Sequence, residues 1–145
     1  MSITVQLDQQ EDFRFAIRFG DAIPPLEADE APPLGKGAGP TPVQLLAAAV
    51  GNCLSDSLLF ALRKFKQSPE PIRTAVEATV GRNAENRIRV QRIAVRITIG
   101  VPGSTLQHLE RALAQFEGFC TVAESVRHGI AVDVEVHDSA GARLK

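Results

Sequence analysis

Cys53 and Cys120 are the only two cysteines in this 145-residue chain, and they are its best candidates for covalent chemistry. An ionised thiol attacks electrophiles, and two thiols that meet can form and break a disulfide. The distance between them in the sequence does not show whether they meet. The alternative is that both are small core residues, because unpaired cysteine is among the most frequently buried residue types.

Other kinds of catalytic site have little support. The cysteines and the three histidines, His108, His128 and His137, show none of the spacings of common zinc motifs, so no metal site is expected. No Gly-x-Ser-x-Gly elbow marks a serine nucleophile. The glycine-rich segment 35–39 lacks the Lys-Ser/Thr ending of a phosphate loop and is interpreted as a flexible turn. We therefore expect no bound cofactor.

Composition also limits the partners. With 16 basic and 17 acidic residues the net charge is −1, which argues against nucleic acid or a membrane surface as partner. The most apolar stretch, residues 45–62, is interrupted by Asn52, Ser55, Asp56 and Ser57, so no membrane span is predicted. The first ten residues show no signal-peptide pattern. These features indicate a reducing, cytoplasmic location, where paired thiols are more often redox-active than structural.

The first forty residues read as a hairpin followed by an arm. Apolar and polar residues alternate at 3–7 and at 13–19, which predicts two half-buried strands. Residues 20–40 are rich in Pro, Gly, Asp and Glu and are predicted to form an irregular loop, which serves a site or an interface when it is this long.

A long helix carrying Cys53 is predicted to begin at Thr41. Thr41 suits the N-cap, Pro42 the first helical position, and Gln44 completes a capping box. Leucine or valine recurs every fourth residue from Leu46 to Leu62. The first half is apolar nearly all round, so this helix is expected to run through the core.

The rest of the chain predicts strands, two helices and a last strand. The expected elements are a strand at 72–80, a strand at 88–99 with a bulge near Gln91 and Arg92, a helix from Ser104 with a capping box to Gln107, a short helix from Cys120 closed by Gly129, and a strand at 130–136. This order predicts an α+β fold with a largely antiparallel sheet. We expect a single domain over 1–145, made of an N-terminal hairpin and arm (1–40) and a helix-sheet core (41–145).

Two segments resemble the OsmC/Ohr family of osmotically inducible and organic hydroperoxide resistance proteins. Residues 34–54, LGKGAGPTPVQLLAAAVGNCL, resemble its glycine-rich loop and Pro-led helix, with the first cysteine eleven residues after Pro42. Residues 119–136, FCTVAESVRHGIAVDVEV, resemble its second-cysteine helix and final strand. The resemblance covers roughly residues 12–138.

The resemblance implies an intertwined homodimer with long central helices and cysteine-based reduction of organic hydroperoxides. Cys53 would attack the peroxide and become a sulfenic acid, Cys120 would condense with it to a disulfide, and an external dithiol would restore both. An apolar site near Leu54, Leu58 and Phe60 would favour organic peroxides over hydrogen peroxide.

Some residues depart from the family pattern. The peroxidase branches carry a Glu after the helix-opening Pro, where it holds the catalytic Arg; Val43 stands there in this chain. The residue after the second cysteine, often Pro, is Thr121. Arg14 is the nearest positional candidate for the Arg, and Glu124 could replace part of the lost carboxylate.

The sequence leaves two questions open. A cation must favour the Cys53 thiolate, because that cysteine lies too far inside its helix for the helix dipole to do so. Arginines are available on the predicted strands, and the sequence does not select one of them: Arg14, Arg18, Arg87, Arg89, Arg92. The second question is the function itself, since the same scaffold could be a non-catalytic binding or dimerisation module, or a thiol sensor or reductase acting on something other than a peroxide.

Overall fold

The structure, a computed structural model, describes residues 1–145 and has the predicted α+β architecture. The chain forms two compact units, Met1–Leu46 and Ala47–Lys145, which are described in turn. Helix α1, Pro42–Lys64, begins in the first unit and continues through the second.

The first unit contains a three-stranded antiparallel sheet. Its strands, in the order β1-β2-β3, are Gln6–Glu11, Arg14–Arg18 and Leu26–Ala28. The predicted hairpin is confirmed, although β1 begins at Gln6 and residues 3–5 are not in a strand. Strand β2 is partly buried as predicted, whereas β1 is exposed along its whole length and is not half-buried. Strand β3 was missed, because it lies within the segment 20–40 that was predicted to be irregular.

The loop after β3 is organised around Asp29. This buried carboxylate accepts hydrogen bonds from the backbone N–H groups of Ala38 (3.0 Å), Glu30 (2.8 Å) and Lys36 (3.1 Å), and these bonds hold the pKa of Asp29 below its usual range. One side chain therefore satisfies three backbone donors of a loop that has no regular secondary structure.

The start of α1 confirms the predicted capping box. The Thr41 N–H donates to Gln44 Oε1 at 2.8 Å, and the Gln44 N–H donates to Thr41 Oγ1 at 3.3 Å. Arg63 and Lys64 occupy the last turn, where the helix dipole favours positive charge. The helix is 23 residues long.

The second unit contains a three-stranded sheet of order β4-β5-β6. Strands β4, Arg73–Arg82, and β5, Ile88–Thr98, are antiparallel, whereas β6, Ala131–His137, is parallel to β5. The parallel pair requires a crossover, which the segment between β5 and β6 supplies. The predicted bulge is confirmed: Thr79 pairs with Arg92 and Val80 with Val90, which leaves Gln91 without a partner.

Helix α1 packs closely on β4. A Cβ atom added at Gly51 would lie 2.4 Å from Val76 Cγ2, and Ser55 Oγ lies 2.6 Å from Thr74 Oγ1. The residues with no exposed surface include Val50, Leu54, Leu58 and Leu62 of α1 and Ile93 and Ile97 of β5. The apolar stripe of α1 is therefore core from Val50 to Leu62, as predicted. The expectation that the first half of the helix runs through the core was wrong for the single chain, because Leu46 is only half-buried and Ala48 and Ala49 are exposed.

Helix α1 is also long and apolar enough to cross a membrane by length and composition, contrary to the expectation from its four polar residues. The central helix of a folded domain passes the same test, so this property alone is weak evidence for a membrane span.

The prediction of a helix from Ser104 was wrong. Residues Gly103–Thr105 form a single 3-10 turn, and α2 spans Leu109–Gln115. The N–H of Gly103 donates to Asp138 Oδ2 (2.8 Å) and the N–H of Gln107 to Gln67 Oε1 (2.9 Å). These long-range bonds take the place of the local capping box.

A second 3-10 turn, Phe116–Phe119, leads into α3, Thr121–Val126. Cys120 is the N-cap of α3. The N–H groups of Gly129 and Ile130 both donate to Val126 O at 3.0 Å, and Gly129 does not adopt the left-handed conformation of a glycine cap. The helix ends three residues before the predicted glycine.

Candidate active site

The two cysteines lie in the second unit, on α1 and at the start of α3. Cys53 is half-buried, whereas Cys120 has no exposed surface. Cys120 uses its sulfur as the helix cap, since the Ala123 N–H donates to Cys120 Sγ at 3.4 Å. A side chain that accepts from the third helical N–H satisfies one of the free donors at a helix start.

The Cys53 thiol lies close enough to Cys120 to affect the ionisation of the Cys120 thiol. The pKa of the Cys120 thiol is raised to about 11. Burial is the largest cause, and the neighbouring Cys53 thiol contributes to the same rise. Hydrogen bonds from the Ala123 N–H and the Ser57 hydroxyl act in the opposite direction. None of these influences comes from an arginine or a lysine. Cys120 therefore keeps its proton at neutral pH.

Burial distinguishes the two sulfurs. In the single chain, a reagent from solvent can reach Cys53 but not Cys120. Cys120 is thus placed to react with whatever forms on Cys53 and not with the reagent itself. This asymmetry is what a nucleophilic thiol and a resolving thiol require.

Ser57 was missed by the sequence analysis. It is one helical turn beyond Cys53 on α1, is 7% exposed, and its hydroxyl lowers the pKa of the Cys120 thiol. A serine four residues after a cysteine on a helix shares its face. That spacing was the available signal, although it does not reveal that Cys120 lies opposite.

An aromatic pair joins Phe119, which directly precedes Cys120, to Phe60, which is seven residues after Cys53 on α1. The rings of Phe60 and Phe119 are 6.3 Å apart in an edge-to-face arrangement, and the residues are 61% and 51% exposed. The predicted apolar site was partly wrong, because Leu54 and Leu58 are completely buried in the core and cannot contact a ligand. Phe119, which the prediction did not include, stands with Phe60 instead.

The other predicted site residues have carboxylate or guanidinium partners of their own. Glu124 is ion-paired to Arg127. In the first unit, Arg14 Nε lies 3.6 Å from Glu27 Oε2, and Arg14 Nε makes no hydrogen bond. Of the further arginine candidates, two are ion-paired: Arg18 with Asp8 at 3.0 Å and Arg92 with Asp133 at 2.5 Å. The catalytic roles of Arg14 and Glu124 stay predictions.

These features define a class: an α+β protein with one cysteine on a long core helix and a second, buried cysteine at the start of a short helix. Residues 35–135, which include both cysteines, match the OsmC-like protein family model. The match covers more than half of the chain, so the protein belongs to the OsmC-like family.

Solved structures share this fold over almost their whole length. An OsmC-like protein of unknown function from Vibrio cholerae has a TM-score of 0.79 at 19% identity, covering 94% of this chain and 99% of that one. An organic hydroperoxide resistance protein from Elizabethkingia anophelis has a TM-score of 0.74 at 15% identity, covering 96% and 99%. The organic hydroperoxide resistance protein OhrB of Bacillus subtilis has a TM-score of 0.69 at 14% identity, covering 94% and 98%. None of the curated protein sequences matches this chain.

Proposed function

We propose that this protein is a thiol peroxidase that reduces organic hydroperoxides through Cys53 and Cys120. The Cys53 sulfur attacks the distal peroxide oxygen, the O–O bond breaks, and the organic part leaves as an alcohol after taking up one proton. Cys53 becomes a sulfenic acid. The Cys120 sulfur then attacks the Cys53 sulfur, and the S–O bond breaks to release water.

The observation that carries this proposal is the pairing of a half-buried Cys53 with a fully buried Cys120. A protonated Cys120, with its pKa near 11, supplies the proton that converts the departing hydroxide into water. The disulfide is returned to two thiols by an external dithiol, which is itself oxidised to a disulfide. No bound cofactor is required by this cycle.

The substrate class follows from the aromatic pair. Phe60 and Phe119 expose apolar ring surface; Phe119 directly precedes Cys120 in the chain, and Phe60 is seven residues, about two helical turns, after Cys53. Burying such surface against an alkyl or aryl group favours binding by about 25 cal/mol per Å². Hydrogen peroxide has no apolar group to contribute this term. Organic hydroperoxides are therefore the proposed substrates.

A homodimer is the proposed working form. Two large apolar residues at the end of the β4-β5 pair, Val80 and Ile88, are exposed in the single chain. Contact with a second copy would remove this apolar surface from water. Arg14 stays the proposed catalytic arginine, because its position in the chain is the nearest to that of the arginine in the family pattern.

Peroxide consumption by reduced protein tests the proposal. One equivalent of tert-butyl hydroperoxide should be converted to the alcohol, with loss of both free thiols and a mass decrease of two hydrogens. Cys53→Ser should abolish consumption, whereas Cys120→Ser should consume one equivalent and retain an oxygen adduct on Cys53. Unchanged thiols, or slow overoxidation like that of free cysteine, would disprove the peroxidase function.

A non-catalytic binding or dimerisation module is the second candidate. Val43 favours it, because this apolar side chain cannot hold an arginine as a carboxylate would. Under this alternative the cysteines are packing residues, and Cys53→Ala and Cys120→Ala change stability without loss of any peroxide-dependent reaction. The same peroxide assay therefore separates the two candidates.

A further inference from the structure

The main chain of Cys120 is held on both sides by glutamates. Its N–H donates to the carbonyl of Glu117 at 3.0 Å, and its own carbonyl accepts from the N–H of Glu124 at 3.0 Å. The position of the Cys120 sulfur therefore depends on the positions of these two residues.

The side chains of both glutamates converge on Arg127. One terminal nitrogen of the guanidinium binds Glu117 Oε1, and the other binds Glu124 Oε1. The side chains of Arg127 and Glu117 are 29% and 18% exposed, so this network is partly shielded from solvent. Burial lowers the pKa of Arg127, but the bonds to the two glutamates outweigh it and raise that pKa. The planar guanidinium can bridge two carboxylates at once.

Lys145 fixes Glu117 from a second direction. Its ammonium group binds Glu117 Oε2, donates to the Leu113 carbonyl at 3.0 Å, and lies 5.1 Å from the centre of the Phe116 ring. Burial raises the pKa of Glu117, but the bonds from Lys145 and Arg127 outweigh it and hold that pKa below its usual range. Glu117 is therefore ionised and paired at neutral pH.

The segment needs such support because its own helix is short. Helix α3 has six residues and Cys120 is its N-cap, whereas isolated helices below ~12–15 residues are marginal. The guanidinium of Arg127 joins the turn before Cys120 to the first turn after it. Arg127 therefore links the two residues, Glu117 and Glu124, that hydrogen-bond to the main chain of Cys120.

We propose that Arg127 is a positioning residue for closure of the Cys53–Cys120 disulfide. It acts through Glu117 and Glu124, which hold the Cys120 backbone so that its sulfur is aimed at Cys53. The inference rests on the proposed function only in requiring that these two thiols join. A misplacement of about 1 Å can cost ~100-fold in rate, so loss of the bridge should slow closure strongly.

Dithiobis(nitrobenzoate) measures closure without any peroxide. The Cys53 sulfur attacks its disulfide and releases one nitrothiobenzoate, leaving a mixed disulfide. The Cys120 sulfur then attacks the Cys53 sulfur and releases the second nitrothiobenzoate as the protein disulfide forms. The two releases give the rate of Cys53 modification and the rate of closure separately.

Arg127→Met should leave the first release unchanged and slow the second by ~10-fold to ~100-fold. Arg127→Lys, which keeps one charge but not the fork, should restore part of the closure rate. Arg63→Met is the matched control, because it removes an exposed ion pair to Glu70 (2.7 Å) far along α1 from Cys53 and should affect neither release.

Glu124→Gln keeps the fold with one arm of the bridge weakened and should slow closure less than Arg127→Met. Equal second-release rates in the wild type and in folded Arg127→Met would overturn the inference, as would parallel slowing of both releases. If the wild type fails the peroxide assay but shows both releases, the proposed function fails and this inference still stands.

Discussion

The pKa of Cys120 can be measured in a Cys53→Ser variant, which leaves Cys120 as the single thiol. Burial is the largest cause of the raised pKa and remains in the variant, whereas the contribution of the Cys53 thiol is removed. The midpoint should therefore lie below about 11 but at least ~1 unit above the ordinary value of 9.0.

The raised pKa strongly lowers the fraction of Cys120 that is present as thiolate. In the wild-type site, a pKa near 11 leaves about one Cys120 in a thousand ionised at about pH 8, against about one in eleven at the ordinary value of 9.0. The reactive form is thus reduced roughly 100-fold before any steric protection is counted.

Ultraviolet absorbance of the thiolate gives a direct titration. The chain contains no Trp and no Tyr, so no tyrosinate signal overlaps the alkaline range. A variant lacking both cysteines supplies the blank. Adding Ser57→Ala should raise the midpoint, because the Ser57 hydroxyl favours the thiolate. A midpoint at or below 9.0 in the Cys53→Ser variant would refute the assignment of burial as the cause.

Three further predictions concern stability and specificity. The reduced protein should lose up to about 2–3 kcal/mol of unfolding free energy as pH rises from 9.0 through about 11. The reason is that the thiol ionises first in the unfolded chain, so Cys120 contributes its full stability only below pH 9.0. Urea titrations of wild type and Cys120→Ala show whether the loss is absent without that thiol. Phe60→Ala and Phe119→Ala should raise KM for an aromatic hydroperoxide while leaving hydrogen peroxide kinetics unchanged, and equal effects on both peroxides would contradict the substrate assignment. Gly51→Ala should destabilise the fold by about 1–3 kcal/mol, since its Cβ would lie 2.4 Å from Val76 Cγ2, and an unchanged urea midpoint would count against that packing.

Local patterns were the predictable part of this fold. The capping box of Thr41 and Gln44 involves residues three apart, so the sequence alone contains both partners. The bulge at Gln91 changes the alternation along a single strand and is visible for the same reason. The four-residue spacing of apolar side chains along α1 likewise predicts which residues are buried, from Val50 to Leu62.

Long-range contacts were the part that local patterns could not predict. The turn at Gly103 depends on Asp138, and strand β3 lies in a segment whose Pro and Gly content indicates a loop. The roles of Ser57 and Arg127 depend on where Cys120 folds, which spacing along the chain does not encode. Such residues become visible only once the elements are packed together.

The most direct test of the central claim is to oxidise the reduced protein with one equivalent of an organic hydroperoxide and map the products by peptide mass spectrometry. A redox-active Cys53–Cys120 pair should give one dominant product, a peptide pair joined through Cys53 and Cys120, with no oxygen retained on either sulfur. Cys53 carrying stable oxygen adducts while Cys120 remains a free thiol would contradict it.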